Sequence, residues 1–468
     1  MSFTKKLRAL FGAQDMTVGS PMSCLLKFSI PLLIGNLAQQ MYNTVDAIVI
    51  GNSSWGDQGL AAVGLAGPIV NLLLVLFMGI STGASILSAQ FFGAKDRPTL
   101  NRCVGASLFL IVVSGLIMMA AGYFLSPWLI GLTTPPSPEV GQGATDYLQI
   151  FFLGIIGSGM YNIISGILRG LGDSMMPLLF LVIACVLNIF LDLLFVNSMG
   201  VAGVALATII AQGVSACLCL WRLCNIRNIC DVEVKHVLHP DKTLMVKIGA
   251  LGLPSGITQA IFSMSAIIVQ SLTNTLGDAM VAANTAIMRV DGFAMMPNFT
   301  FGTAATTYIG QNVGAGRADR LKPGLKAMLL LGLISSTVLV AAILLFGHNI
   351  IGMFTETELT IQLGVQGLQT LAFGYICFSV SQVLQGTMRG AGETQIPMWI
   401  SIICTVILRM PMAYVMAYFT RNEQWPNGQP SALFVSLLVC WVVGTILSIV
   451  SYKMKFWRKK LGALGDDL

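Results

Sequence analysis

The sequence predicts an all-α integral membrane protein with twelve transmembrane helices in two pseudo-symmetric six-helix lobes. The composition, a set of long apolar segments and an internal repeat each support this fold class. Of the 468 residues, 55% are hydrophobic and only 10% are charged, whereas soluble domains carry about 25% charged residues. A water-soluble fold cannot bury this much apolar surface, but a lipid bilayer removes the need to bury it.

Twelve segments are long and apolar enough to cross a bilayer, for which a helix needs roughly 20 apolar residues. The first begins near Cys24 and is longer than a signal-peptide core of about 7–15 residues, so we expect it to be a retained membrane helix. The predicted spans are residues 25–50, 60–90, 103–125, 145–168, 177–196, 199–221, 245–275, 280–312, 324–346, 362–387, 396–419 and 431–452.

The basic residues predict the orientation, because loops on the cytoplasmic side of a membrane protein are enriched in Lys and Arg. With a cytoplasmic N-terminus, all but three of the 26 basic residues lie in cytoplasmic segments. The exceptions are Arg421 in an outer loop, and Arg289 and Arg409 within spans. We therefore expect both termini in the cytoplasm, and a basic surface that faces the anionic lipid of the inner leaflet rather than nucleic acid.

The two halves of the chain share three sequence features in the same order. The matching pairs are AQFFGA at 89–94 with GQNVGA at 310–315, LRGLGD at 168–173 with MRGAGE at 388–393, and Pro31 with Pro254. Their offsets are 221, 220 and 223 residues. Each repeat holds an even number of spans, so both halves share one orientation. We predict an N-terminal lobe over residues 1–230, and a C-terminal lobe over residues 231–468 that is preceded by a cytoplasmic linker.

Two parallel six-helix lobes are typical of secondary transporters, in which a cavity opens alternately to the two sides of the membrane. The sequence contains no GxxxxGK[ST] motif for ATP, so we expect an ion gradient to drive transport. We expect no cofactor other than the coupling ion, H⁺ or Na⁺. The ten cysteines and three histidines show no metal-site or catalytic spacing, which favours a transporter over an integral-membrane enzyme.

Acidic residues within the first six spans are candidates for ion coupling, because a carboxylate in hydrocarbon costs at least about 2.5–3.5 kcal/mol. Asp46 lies in the first span with no basic residue near it, and Asp192 lies in the fifth, four residues after Asn188. This spacing places Asn188 and Asp192 on one helix face. Their oxygens can coordinate Na⁺, or one carboxylate can bind and release a proton. The alternative is structural: Asp192 caps its helix, or both carboxylates only hydrogen-bond neighbouring helices.

The second lobe carries a different set of charges inside the membrane. Arg289 and Asp291 lie two residues apart in the eighth span, so they do not share a helix face. Arg409 lies near the middle of the eleventh span. An ion pair between Asp291 and Arg409 would lower the cost of burying both. Such a pair would be structural or would control gating; the alternative is direct contact with substrate.

The motifs of both halves resemble the MATE (multidrug and toxic compound extrusion) family over nearly the whole chain. The resemblance rests on Pro31, Gln40, Tyr42, Asn43 and Asp46–Gly51, on Arg169–Gly170 with Gly172–Asp173 and Pro177, and on Gly310–Asn312 with Gly314–Gly316. It implies drug efflux by antiport with Na⁺ or H⁺ through a V-shaped pair of lobes.

The resemblance also implies a cation site in the first lobe at Asp46, Asn188 and Asp192, which would be the metal ligands if the ion is Na⁺. Thr208 best matches a threonine of the sixth span that belongs to that site. The chain departs from the NorM branch, whose spans 7 and 10 carry acidic residues, and in this respect resembles the DinF-like branch. The further candidates for substrate binding or gating are Gln39, Tyr42, Asn43, Gln259, Arg289, Asp291 and Arg409.

We therefore expect a monomeric, multi-pass protein of the bacterial cell membrane that exports amphipathic or cationic organic compounds in exchange for H⁺ or Na⁺. Its partners would be small drug-like molecules and membrane lipid. The alternative function is a flippase for lipid-linked precursors. Related folds with that function often have extra helices and a basic central cavity, whereas this chain has twelve predicted spans and two arginines within them.

Overall fold

The computed structural model describes residues 12–53, 55–133, 137–423, 425–454 and 457, without the side chains of Tyr42, Asn43, Ala47 and Asp57. This part of the chain is helical throughout its length apart from short connections, and it contains no strand. Several basic residues that we assign to the cytoplasm lie outside the described residues: Lys5, Lys6, Arg8, Lys455, Arg458, Lys459 and Lys460.

Fourteen helices run through the described residues. The first seven are α1 Pro21–Gly51, α2 Gly56–Gly93, α3 Arg97–Gly131, α4 Pro138–Leu153, α5 Ile155–Gly170, α6 Met175–Met199 and α7 Val201–Asn225. The short α8, Val234–Leu238, lies in the predicted cytoplasmic linker. The others are α9 Lys242–Asn274, α10 Asp278–Gly314, α11 Ala318–Gly352, α12 Glu358–Gly390, α13 Gln395–Phe419 and α14 Ser431–Lys453. Within α13, Ile402–Arg409 is π-helical.

These helices account for the twelve predicted spans. Among the described residues, ten helices are long and apolar enough to cross a membrane, and α4 with α5 forms an eleventh span that is bent by 53°. The prediction of one continuous helix over residues 145–168 is therefore wrong, because the chain breaks at Gly154. The remaining predicted span is α10, which is 37 residues long but more polar, since it carries Asp278, Arg289 and Asp291.

The repeated motif LRGLGD/MRGAGE connects two helices in each half of the chain. Asp173 accepts the backbone N–H of Met176 (3.1 Å), and Glu393 accepts two N–H groups at the start of α13 (3.0 and 3.2 Å). These bonds satisfy donors that have no partner within the helix. Asp173 also pairs with Arg222 (2.8 Å); burial raises the pKa of Asp173, and the Arg222 charge opposes this rise. Helix capping therefore explains why an acidic residue occurs at this position in both halves.

Contacts divide the chain into two compact units. Of the described residues, the first contains 12–18 and Leu26–Gly256, and the second contains Gly19–Leu25 and those from Ile257 onward. The predicted boundary, at residue 230, lies earlier than this division. The difference arises because the first half of α9 packs against α2 and so belongs to the first unit.

The same spans pack together within each unit. In the first, α2 contacts α3 and α5, and α5 contacts α7; in the second, α10 contacts α11 and α12, and α12 contacts α14. Helices α5 and α12 both belong to the fourth span of their half. This agreement in packing supports the internal repeat seen in the sequence.

Glycines allow α2 and α9 to approach closely in the first unit. A Cβ added to Gly83 would lie 2.2 Å from the carbonyl oxygen of Ile248, and one added to Gly252 would lie 2.5 Å from that of Gly79. Lipid tails are as apolar as the helix surfaces, so helices in a membrane associate through such close packing rather than through the hydrophobic effect. This contact holds the first half of α9 against α2.

We predict that Gly83→Ala destabilises the protein by roughly 1–3 kcal/mol, because the added methyl group forces the two backbones apart. Thermal unfolding in detergent measures the effect. The matched control is Gly64→Ala on the same helix, where an added Cβ has no atom within 4 Å. If both variants unfold at the wild-type temperature, the close contact between α2 and α9 is not present in the protein.

Candidate cation site in the first unit

The four residues predicted to bind the coupling ion lie together in the first unit. Asp46 is on α1, Asn188 and Asp192 are on α6, and Thr208 is on α7. In the amide orientation that satisfies all its partners, Asn188 Nδ2 donates to Asp46 Oδ1 (2.8 Å) and Asp192 Oδ2 (3.1 Å). Asn188 Oδ1 then accepts the backbone N–H of Thr208 (3.2 Å). One amide therefore bridges two carboxylates from different helices.

The turn between α6 and α7 contributes to this arrangement. A single residue, Gly200, joins the two helices, and its φ of +59° with ψ of −134° is a conformation that favours glycine. A Cβ at Gly200 would also lie 2.2 Å from the indole nitrogen of Trp55. The tight turn lets α6 and α7 pack along their length, which brings Asn188 to Thr208.

The two carboxylates are held where a positive charge would be favourable. Asp192 is fully buried, and its Oδ1 has no hydrogen-bond partner within the described part of the chain. Two negative charges that share one neutral amide repel each other, and a low dielectric strengthens the repulsion. A bound proton would remove one charge. Alternatively, the carboxylate oxygens are ligands suited to a hard cation.

A cavity of about 300 Å³ within the first unit is lined by Asp46 and Thr208. Gln39, one of the further candidates, also lines it. The side chains of Tyr42 and Asn43, two other candidates, lie outside the described residues. The site and the cavity therefore share Asp46, so a ligand in the cavity can contact the same carboxylate as the ion.

The cavity wall also contains residues that sequence reasoning missed. Tyr147 on α4, and Tyr161 and Asn162 on α5, line it. Tyr147 lies close enough to Asp46 and Asp192 to interact with both electrostatically. A polar aromatic residue within an apolar span was the available signal, but such residues are also common at the ends of spans. In the cavity wall, Tyr147, Tyr161 and Asn162 give the cavity both apolar and polar surfaces, as ligand pockets usually have.

The second unit forms a different arrangement around its buried charges. Asp291 on α10 accepts a hydrogen bond from the hydroxyl of Tyr375 on α12. Arg409 on α13 donates to Ser265 Oγ (3.1 Å). The predicted direct ion pair between Asp291 and Arg409 is wrong, because each side chain is held by a nearer partner on another helix. The two charges still attract each other at longer range.

The other two candidates of the second unit lie apart from these contacts. Arg289 is exposed and Gln259 is half-buried. Among the described residues, neither side chain forms a hydrogen bond or an ion pair with another protein group. The structure therefore gives Asp291 and Arg409, but not Arg289 or Gln259, a polar side-chain partner on another helix among the described residues.

Comparison with known proteins decides the family. The MatE family model matches residues 31–194 and 254–415, which include most of both repeats. The chain belongs to the MATE family. Membership confirms the class predicted from the sequence, a membrane transporter rather than an enzyme.

Individual MATE relatives are similar over most of their length. The chain is 32% identical over 411 residues to the probable multidrug resistance protein YpnP of Bacillus subtilis (strain 168), which covers 85% of this chain and 89% of YpnP. It is 29% identical over 445 residues to YoeA of the same organism, also named a probable multidrug resistance protein, with 92% and 93% covered.

A solved structure of a multidrug resistance MATE family transporter of the MOP superfamily, in an outward-facing conformation, shares the fold. The TM-score is 0.86 at 24% identity, with 97% of this chain and 98% of the other covered. This likeness confirms the predicted MATE fold. The assignment to the DinF-like branch stays a prediction.

We predict that Asn188→Leu lowers the stability of this MATE protein by roughly 1–3 kcal/mol, because both carboxylates lose their shared donor. Adding Asp192→Asn to that variant removes one of the two charges and returns an amide group. The double variant should therefore unfold at a higher temperature than Asn188→Leu alone. If Asp192→Asn instead destabilises the Asn188→Leu variant as much as it destabilises the wild type, the amide does not bridge the carboxylates.

Proposed function

We propose that the protein is a secondary active multidrug exporter, which exchanges H⁺ or Na⁺ at Asp46 and Asp192 for amphipathic or cationic organic compounds. The observation that carries this proposal is the pair of carboxylates bridged by Asn188, one of which lines a cavity of about 300 Å³. The cavity is large enough for a small organic molecule. The relatives of this protein, YpnP and YoeA, are named probable multidrug resistance proteins. These names favour drug export over the flippase alternative.

The exchange follows from competition for one negative site. An organic cation is attracted to the cavity when the carboxylates are free, and the aromatic rings of Tyr147, Phe151 and Tyr161 in its wall can bind the cation through their faces. Binding of H⁺ or Na⁺ removes that negative charge and weakens the attraction. Because coupling between two ligands is reciprocal, the organic cation weakens ion binding by the same factor.

Net transport requires that the cavity is exposed to each side of the membrane in turn. In the proposed cycle, the cavity takes up the organic compound from the cytoplasm or the inner leaflet and releases it outside, where the coupling ion enters. We propose alternating access for this step, with both chain ends in the cytoplasm, on the basis of the repeat and of the distribution of basic residues.

The proposal is tested by Asp46→Asn in proteoliposomes that contain the purified protein and a fluorescent organic cation such as ethidium. The substitution keeps the shape of the side chain but removes its charge, so we expect gradient-driven export to fall by about tenfold or more. The matched control is Asp278→Asn, which removes an exposed carboxylate in the first turn of α10 and should leave export unchanged.

Export by the wild-type protein, measured in proteoliposomes with separately imposed Na⁺ and pH gradients, then identifies the coupling ion. Export should follow one of the two gradients and stop when that gradient is collapsed. Normal export by Asp46→Asn, or wild-type export that is indifferent to both gradients, would refute cation coupling at this site.

A further inference from the structure

The second unit contains a half-buried arginine, Arg409, beside a small cavity that the proposed exchange does not use. The cavity has a volume of about 60 Å³, and Arg409, Phe378 and Trp441 are among the residues that line it. The guanidinium of Arg409 donates one hydrogen bond, from Nη1 to Ser265 Oγ (3.1 Å). Its Nε is buried and has no hydrogen-bond partner within the described part of the chain. One donor of a positively charged guanidinium is thus left unsatisfied at the cavity.

The local backbone places Arg409 at this point. Residues Ile402–Arg409 form a π-helical segment, in which the N–H of Met410 bonds the carbonyl of Thr405, five residues back. Segments of this kind are rare and frequently occur at functional sites. Thr405 and Cys404 of the same segment also line the cavity. The irregular helix therefore directs several of its side chains into one small space.

Three other polar side chains of the cavity wall, Ser381, Gln385 and Ser401, already have partners. Gln385 Nε2 donates to Ser381 Oγ (2.9 Å), and Ser401 Oγ donates to the carbonyl of Pro397 (3.0 Å). Asp291, whose charge acts on Arg409, is not among the lining residues and is held by Tyr375. An unpaired charge and an unsatisfied donor are costly in a low-dielectric environment, so a counter-ion in the cavity would be stabilising.

We propose that this cavity binds a small monovalent anion, a halide or a carboxylate group, through Arg409. A cavity of about 60 Å³ has room for a small anion such as chloride, bromide or acetate, and we expect it to favour these over a sugar acid. The partly positive ring edges of Phe378 and Trp441 are compatible with an anion. The site is independent of the proposed exchange, because Asp46 and Asp192 belong to the first unit.

Trp441 in the wall provides a direct measurement, because bromide quenches tryptophan fluorescence on contact. The full-length protein in detergent is titrated with sodium bromide, and sodium gluconate keeps the ionic strength constant. We expect a saturable component of quenching that is absent from the Trp441→Phe variant. The other tryptophans, six of the seven in the chain, contribute only quenching that rises linearly. Linear quenching alone in the wild-type protein would overturn the proposal.

Two substitutions test the role of the charge. Arg409→Gln should weaken bromide binding by about tenfold or more, as expected for the loss of a charge-assisted hydrogen bond, whereas Arg409→Lys should retain part of the affinity. Asp291→Asn should tighten bromide binding, because it removes the negative charge that competes for Arg409. If Arg409→Gln does not fold, Asp291→Asn decides: an affinity that is unchanged or weaker contradicts the proposal.

Competition between bromide and other anions identifies which kind of anion the cavity binds. Chloride that displaces bromide while acetate does not would indicate a halide site, and displacement by both would indicate that a carboxylate group also fits. Displacement by gluconate at the same concentration as chloride would show that the cavity does not select by size, and would overturn the proposal.

Discussion

The cost of placing a charge in the low dielectric of a membrane determines much of this structure. Only 10% of the residues are charged, and few of these lie within spans, so each one there requires a specific partner or a function. In the first unit the partner is an amide, Asn188, which two carboxylates share. In the second unit a tyrosine hydroxyl binds Asp291, and a serine binds Arg409. The two repeats therefore share a helix arrangement but not the chemistry of their buried charges.

This difference in chemistry supports a division of roles between the units. A shared amide leaves the pair Asp46 and Asp192 short of positive charge, which a travelling cation can supply and then withdraw. Arg409 has the opposite sign, and its unsatisfied Nε favours a counter-ion that can stay bound. A transporter needs the first kind of site for exchange, whereas the second kind stabilises a buried charge without being consumed in each cycle.

The sequence allowed the fold to be predicted where a pattern repeats or a composition is extreme. The apolar segments were sufficient to predict the spans, and the matching motifs near Arg169 and Arg389 were sufficient to predict the two similar halves. The spacing of Asn188 and Asp192 placed both on one face of α6, and the lack of a basic neighbour singled out Asp46. The resemblance added Thr208, and the structure places all four residues together.

Features that depend on packing between residues far apart in the chain could not be predicted from such sequence patterns. The bend at Gly154, the partnership of Tyr375 with Asp291, and the inclusion of the first half of α9 in the first unit each require contacts between residues far apart in the chain. The predicted pair of Asp291 and Arg409 failed for the same reason. Complementary charge in the sequence does not reveal that other polar groups lie closer to each side chain.

The central claim is that the organic compound and the coupling ion compete for one pair of carboxylates. The most direct test is to mix purified protein with an organic cation in weakly buffered solution, and to measure the H⁺ and the Na⁺ that are released on binding. We expect release of one of these ions from the wild-type protein and no release from Asp46→Asn. Binding of the organic cation to the wild-type protein without release of either ion would contradict the claim.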